Sequence, residues 1–228
     1  MPLKRTMAPN WPIERKTKKY VVTPMPGPHS KYECIPLGVV LRDILKYAET
    51  LKEAKEILNK GIVKVDGKVR KKVNFPLGLM DVLSIQAENY RVLPGAKGLY
   101  LQAIEENEAS TKLSKINNKV IIKTSKIQLN MFDGKNIIVS SNDYKTGDTA
   151  ILDLSSRSIK EMLRMKKGST ALITGGRNIG SIGKIENIIV TKNPQPTQVI
   201  VNVSGKNVSV PKNYVFVIGH DKPVIKLG

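Results

Sequence analysis

Gly61-Ile62-Val63-Lys64-Val65-Asp66-Gly67-Lys68-Val69-Arg70-Lys71-Lys72 is the run from which the rest of the chain can be read. Val63 and Val65 alternate with Lys64, the period of a half-buried strand. Asp66-Gly67 can supply the two positive φ angles of a type I′ hairpin turn. The returning segment then carries Lys68, Arg70, Lys71 and Lys72. Upstream, Leu37, Val40, Leu41, Ile44, Leu45 and Ala48 recur at helical spacing behind Pro36, whose missing N–H suits a first helical position. Arg42 and Lys46 lie a turn apart on the opposite side. Thr50-Leu51-Lys52-Glu53 is a capping box opening a second helix. Ala54, Ile57 and Leu58 form that helix's buried side, and Gly61 is its natural stop. Beyond a loop at Pro76 and Gly78, Asp81-Val82-Leu83-Ser84-Ile85 returns as a strand. Pro36 to Ile85 is thus two short helices, a tight turn and a basic ribbon.

A compact unit presenting this charge has a phosphate backbone as its natural partner. Taken singly, Arg42, Lys46, Lys52 and Lys55 read equally well as a solvated face. The cluster from Lys64 to Lys72 is dense enough to favour RNA contact. The whole chain follows suit: 38 Lys and Arg against 19 acids leave a net charge of +19 over 228 residues. Aromatic residues are 5% of the chain, so phosphate and shape are a better fit than base stacking. Cys34 is the single cysteine, which rules out an intrachain disulfide and a multi-cysteine zinc site. His29 and His220 are the two histidines. His29 lies in a Pro/Gly-rich loop and reads as an RNA or backbone contact. No Cys/His pair has supporting context, no Ser sits in a G-x-S-x-G elbow, and carboxylates are scattered. The expectation is a non-enzyme with no catalytic residues, metal, cofactor or small-molecule substrate. Met1 to Tyr20 lacks a signal-like apolar core, and no apolar run approaches membrane length. The expected setting is intracellular, away from membranes.

The segment from Pro36 resembles the S4 domain, a small RNA-binding module. The matching residues are Leu41-Arg42-Asp43, the Ala54-x-x-Ile57 register, Gly61-x-Val63-x-Val65-Asp66-Gly67 and Asp81-Val82. The module also occurs in RNA-modifying enzymes, so it implies RNA without naming a role. Ahead of it, Pro2, Pro9, Pro12, Pro24, Pro26 and Pro28 break any periodic element. Lys4-Arg5 and Arg15-Lys16-Thr17-Lys18-Lys19 are basic runs, and Trp11 sits between prolines. Such a segment reads as an arm that orders only against something large and anionic, or as a loose tail. Lys4-Arg5-x-x-Ala8-Pro9-Asn10-Trp11-Pro12-Ile13 and Pro24-x-Pro26-Gly27-Pro28-His29 resemble the opening of the S4e family, small-subunit ribosomal proteins of archaea and eukaryotes. Glu33-Cys34-Ile35-Pro36-Leu37 and Leu45-Lys46-Tyr47-Ala48 fit the same family. Within it, the end at Gly228 without a long basic tail implies the archaeal branch.

Pro94-Gly95-Ala96-Lys97-Gly98, between short strand candidates at Arg91-Val92-Leu93 and Leu99-Tyr100-Leu101, reads as a boundary. Then come the β-branched runs Val120-Ile121-Ile122, Lys126-Ile127-Gln128-Leu129 and Asn136-Ile137-Ile138-Val139. Turns at Asp133-Gly134, Ser140 to Asp143 and Thr146-Gly147-Asp148 separate them, the pattern of a small barrel or folded-over sheet. Gln128-Leu129-Asn130-x-x-Asp133-Gly134 also matches the S4e family, with Phe132 where members commonly carry histidine. Glu105, Glu106 and Glu108 form one acidic patch, a helix start or a surface kept away from RNA.

After the strand Ala171-Leu172-Ile173-Thr174, the spacing Gly176-x-x-x-Gly180-x-x-Gly183-x-Ile185 resembles the KOW motif, which implies a small SH3-like barrel. The glycines permit left-handed angles and close backbone approach, and Arg177 and Lys184 add charge. The run fails the P-loop pattern, because Asn178 stands where its first glycine belongs and Ile185 follows Lys184. It also lacks the G-x-G pair of a dinucleotide site. A structural bend without a ligand is the plain alternative. Ser204-Gly205-Lys206 is a hairpin turn candidate.

The reading is an α+β multidomain chain. An extended basic Pro-rich arm occupies 1–34, an S4-like RNA-binding module 35–95, a central β-rich domain 96–167 and a KOW SH3-like barrel 168–228. The resemblance implies a non-catalytic structural constituent of the small ribosomal subunit in the cytoplasm. Its partners would be 16S-type ribosomal RNA and neighbouring small-subunit proteins. The expected RNA contacts are Lys4, Arg5, Arg15, Lys16, Lys18 and Lys19 in the arm. In the module they are Arg42, Lys46, Lys60, Lys64, Lys68, Arg70, Lys71 and Lys72, and in the barrel Arg177, Asn178 and Lys184. Two rivals remain open: an RNA-modifying enzyme carrying an S4 module, and a free KOW regulator of transcription or translation. DNA binding is weaker, since no recognition helix stands out.

Overall fold

The computed structural model describes residues 3–9, 11–14, 16–122, 126–190 and 196–226. The chain divides into two units, 1–112 and 113–228. It is mostly β, with short helices in the first unit.

In the first unit, β1 (Leu3–Lys4) pairs with β2 (Tyr20–Val21). The strand β3 (Cys34–Pro36) leads into the one-turn α1 (Leu37–Val39) and a π-helical turn at Val40–Ile44. Pro36 therefore closes a strand and stands at the N-cap of α1, one residue ahead of the first helical position expected for it. The Leu37 and Gly38 N–H groups donate to the carbonyls of Phe75 and Val73, which tie the helix start to the later loop. The expected long stripe is cut short, because Lys46 takes a left-handed φ of 58°. Leu37, Val40, Leu41 and Ala48 are nevertheless buried.

The helix α2 (Leu51–Asn59) starts as its capping box requires: the Glu53 N–H donates to Thr50 Oγ1 at 3.2 Å. The Glu53 carboxylate accepts from the Glu49 N–H at 2.9 Å, one residue earlier than the simplest box. Gly61 follows with φ 76°. The strands β4 (Val63–Val65) and β5 (Lys68–Val69) form the hairpin, with Asp66 and Gly67 at φ 50° and 73°. The strand β6 (Pro76–Gly78) pairs with β3. Next come β7 (Val82–Ile85), β8 (Glu88–Gly95) and β9 (Gly98–Ile104), giving a sheet ordered β5-β4-β7-β8-β9. Pro94 to Gly98 is a tight turn inside this sheet, with Gly95 facing Gly98. Glu106–Ala109 forms the short α3, so the acidic patch is a helix start.

The arm is packed, not loose. Leu3, Ala8, Trp11 and Val21 enter the same core as Leu37, Leu41, Ala54, Leu58 and Val63. Trp11 is 4% exposed, and its Nε1–H donates to the Cys34 carbonyl at 2.6 Å. A buried indole with its N–H satisfied contributes on the order of 3 kcal/mol. That supplies the apolar burial which composition alone did not promise.

In the second unit, β10 (Thr111–Ile121, entering from the first unit), β11 (Ile127–Met131), β12 (Asn136–Val139), β13 (Thr149–Asp153) and β14 (Ile159–Leu163) form one sheet. Its order is β12-β11-β10-β13-β14. The first half of β10 gave no clear strand signal, because buried Ser114 and Lys115 interrupt its apolar residues. Lys115 Nζ donates to the carbonyls of Lys212, Asn213 and Val215 at 2.8–3.0 Å. Phe132 meets Phe216 edge to face at 5.6 Å. The remaining strands, β15 (Thr170–Ile173), β16 (Ile182–Ile189), β17 (Gln198–Val203), β18 (Lys206–Pro211) and β19 (Val215–Gly219), form a sheet ordered β18-β17-β16-β15-β19. Ser204 and Gly205 turn the β17–β18 hairpin with φ 50° and 82°.

Inside the first unit, His29 Nε2 lies 2.9 Å from Asp81 Oδ2, and Lys112 Nζ lies 2.5 Å from Asp81 Oδ1 and 2.7 Å from Asp66 Oδ2. His29 is thus a core residue and not a surface contact. Burial pushes the Asp81 carboxyl up, but the Lys112 ammonium and then His29 outweigh it, holding it well below the usual carboxylate range. Such a carboxylate adds stability above its unfolded value near 3.8 and loses it as pH falls from there toward the folded value. Asp81→Asn is expected to cost about 3–5 kcal/mol, because the buried Lys112 keeps its charge with a partner gone. Urea titrations from about pH 6 to about pH 2 check this. The wild type should weaken steeply below about pH 4 and the variant less so; parallel curves would remove Asp81 from this role.

Candidate nucleic-acid interface

The hairpin presents its cations because its apolar side is fixed. Val63 and Val65 are 0% and 2% exposed, while Lys64 between them is exposed. The turn is anchored from below: Asp66 Oδ1 accepts from the Val82 N–H at 3.1 Å, and Asp66 Oδ2 accepts from Lys112. Lys68, Lys71 and Lys72 are exposed on the returning segment. Arg70 differs. It is half-buried, with its guanidinium 4.3 Å from the centre of the Phe75 ring, and its backbone N–H donates to the Val63 carbonyl. A stacked arginine keeps its charge, but part of its surface is already committed.

Arg42 and Arg5 share Asp43. Arg42 donates from Nη2 at 2.8 Å and Nε at 3.2 Å, and Arg5 from Nη2 at 3.0 Å. Burial raises the Asp43 carboxyl, but the hydrogen bonds from Arg42 and Arg5 outweigh it and lower it below its ordinary value. Arg5 is 3% exposed and also donates to the Glu14 carbonyl. The structure therefore corrects the expectation for Arg5: its guanidinium joins arm to module and faces inward. Lys4, Lys16, Lys18, Lys19, Lys46 and Lys60 are exposed, with Lys19 Nζ 5.4 Å from the Tyr20 ring. Arg15 lies outside the described residues.

In the second unit, Arg177 and Lys184 are exposed and Asn178 is half-buried. Lys184 Nζ lies 3.6 Å from Asp221, a weak exposed pair. Gly176 and Gly180 take left-handed φ of 82° and 84°, as the bend requires. Gly183 has a packing reason instead, since a Cβ there would come within 2.2 Å of the Asn202 carbonyl oxygen. The strand Ile182–Ile189 begins inside the glycine run, so less of that run is loop than its composition implies.

The exposed Lys64, Lys68, Lys71 and Lys72 thus stand on one hairpin and the segment leaving it, while Arg5 and, among the described residues, three further cations are taken into the core. Lys112 and Arg91 are 1% and 0% exposed, and Lys115 is 8% exposed. Arg91 Nη2 donates to the carbonyls of Glu108 and Thr111. The anchoring role of Lys112 escaped the sequence reading; its polar neighbours Ser110 and Thr111 carry no sign of burial. Among the described residues no group of three His, Cys, Asp or Glu is placed to hold a metal, and no helix is long and apolar enough to cross a membrane.

Comparison with known proteins bears on this geometry. Residues 2–32 match the RS4NT domain, 36–83 the S4 domain and 86–159 the ribosomal family S4e. The chain is 45% identical, over 99% of its length and 95% of the relative's, to small ribosomal subunit protein eS4 of Methanothermobacter thermautotrophicus. It is 43% identical to eS4 of Archaeoglobus fulgidus over 99% and 97% of the two lengths. The crystal structure of the 30S ribosomal protein S4e from Thermoplasma acidophilum matches with a TM-score of 0.74 and 34% identity, covering 82% of this chain and 95% of that one.

Replacing Lys71 and Lys72 with Ala is expected to leave the fold intact and weaken RNA binding. The slope of log affinity against log salt should fall by about two, one for each phosphate that a lysine no longer neutralises. Arg70→Ala should change the slope less and also cost some stability, because its stacking on the Phe75 ring goes too. Filter binding across a salt series reads this out; an unchanged slope makes the ribbon a solvated face.

Proposed function

The chain belongs to the ribosomal S4e family, and from that premise we propose that it is a non-catalytic structural constituent of the small ribosomal subunit, resident in the cytoplasm. It binds 16S-type ribosomal RNA and holds its folded shape. The observation that carries the reading is the basic hairpin of the S4 domain, with Lys64, Lys68, Lys71 and Lys72 exposed on and after a turn pinned by half-buried Asp66. Cations held on a rigid element meet phosphates without a large ordering cost, which is how backbone contacts position a protein on RNA. Lys46 and Lys60 extend this surface within the module, and Arg42 offers what Asp43 leaves of its charge. In the arm, Lys4, Lys16, Lys18 and Lys19 contribute.

The segments 1–34, 35–95, 96–167 and 168–228 serve in this reading as arm, S4 module, family-specific β region and KOW barrel, with β9 of the third segment completing the sheet of the second. The left-handed glycines at 176 and 180 and the exposed Arg177 and Lys184 support an RNA-facing loop in the last. Its five-stranded antiparallel sheet supports the SH3-like assignment. Partners are small-subunit RNA and its neighbouring proteins.

Sedimentation of cell extract through sucrose at moderate and high salt tests the proposal. The chain should travel with the small subunit and remain there as salt rises. Recovery at the top of the gradient, or release by salt, would replace this reading with a free RNA-binding regulator.

A further inference from the structure

The strand β9 forms one margin of the sheet β5-β4-β7-β8-β9. The opposite margin, β5, is two residues long and carries Lys68, a usual way of blunting an edge. β9 has neither protection. Gly98 to Ile104 reads GLYLQAI: seven residues without a charge or a proline, paired to β8 with no bulge. The register shows which groups are open. Val92 exchanges backbone hydrogen bonds with Met80 and Asp81 on the β7 side, so Arg91 and Leu93 turn theirs toward β9. Their partners Gln102 and Tyr100 face β8, and Leu99, Leu101 and Ala103 turn N–H and C=O outward. Among the described residues none makes a backbone hydrogen bond to that outer row. The Ala103 carbonyl takes a 3.4 Å contact from Gln102 Nε2, a side chain an incoming strand displaces.

An unbulged, uncharged edge of this length is a template for another extended chain. Charge selects the occupant. At the end of β9 stand Glu105 and Glu106, both exposed, with Glu108 a turn later in α3. This is an acidic rim on a chain of net charge +19. RNA would meet carboxylates there and no cation on the strand. A second copy would bring its own +19. We infer that the outer edge of β9 is a docking strand for an extended, lysine- and arginine-rich polypeptide segment of a neighbouring protein, added by main-chain pairing and oriented by Glu105 and Glu106. The ribosomal setting of that neighbour rests on the reading above; the edge itself does not.

The full-length chain is mixed with a short peptide of alternating Lys and Val, or with its Glu-Val counterpart, and amide exchange is followed. The Lys-Val peptide should slow the Leu99, Leu101 and Ala103 amides about tenfold, roughly 1.4 kcal/mol of pairing. Ala103→Pro removes an outward donor from an exposed position without touching the ladder to β8, and should abolish the protection. The double variant Glu105→Lys, Glu106→Lys should weaken it about tenfold. No protection at these amides, or equal protection by the Glu-Val peptide, overturns the inference. A concentration-dependent dimer that disappears in Ala103→Pro would assign the edge to a second copy instead. In purified small subunits, a photo-cross-linker at position 103 should join a basic protein segment, and an RNA adduct counts against the proposal. If the chain does not sediment with the subunit at all, the ribosomal reading falls while the peptide assay still decides the docking strand.

Discussion

A buried carboxylate sets the geometry of the first unit. Asp81 is 1% exposed and is reached by the Gly78 N–H, by His29 from 52 residues away and by Lys112 from 31 residues away. Charges removed from water are costly unless each finds its partner, and here Lys112 is divided between Asp81 and Asp66. The arm, the loop before β7, the hairpin turn and the start of β10 therefore reach low energy together. The His29 ring lies against Gly78 so closely that a Cβ there would sit 2.2 Å from it, which explains that glycine without any need for a positive φ.

The same constraint divides the cations into two populations. Lys112, Lys115, Arg91 and Arg5 direct their charge inside, onto carboxylates or backbone carbonyls. Lys64, Lys68, Lys71 and Lys72 stay in water on and after a turn that one member of the first population, Lys112, ties down through Asp66. Net charge counts both alike, so it overstates how many cations a polyanion meets. In the second unit Lys115 does for the stretch before β19 what Lys112 does for the hairpin, with three carbonyls in place of two carboxylates. Phe132, at a position where the family commonly has histidine, packs edge to face on Phe216 and serves the core.

What the sequence determined by itself was local. Asp66-Gly67, Thr50 with Glu53, Gly61 and Ser204-Gly205 each behave in three dimensions as their residue types demand, because a turn or a cap is decided by backbone sterics and hydrogen bonds within a few residues. The S4 module and its basic ribbon were legible for that reason. The tertiary structure alone decided which polar residues are buried. Trp11 and Arg5 turned an apparent tail into part of the core, His29 and Lys112 became the anchors of the hairpin, and Pro94 to Gly98 became a turn within a sheet. Trp11, Arg5, His29 and Lys112 carry no local signal of burial, and the Pro/Gly signal at 94–98 marks a turn without saying that one sheet runs through it. A lysine that meets an aspartate 46 positions away is indistinguishable in sequence from one that meets water, and only the folded chain supplies the partner that offsets the cost of its burial.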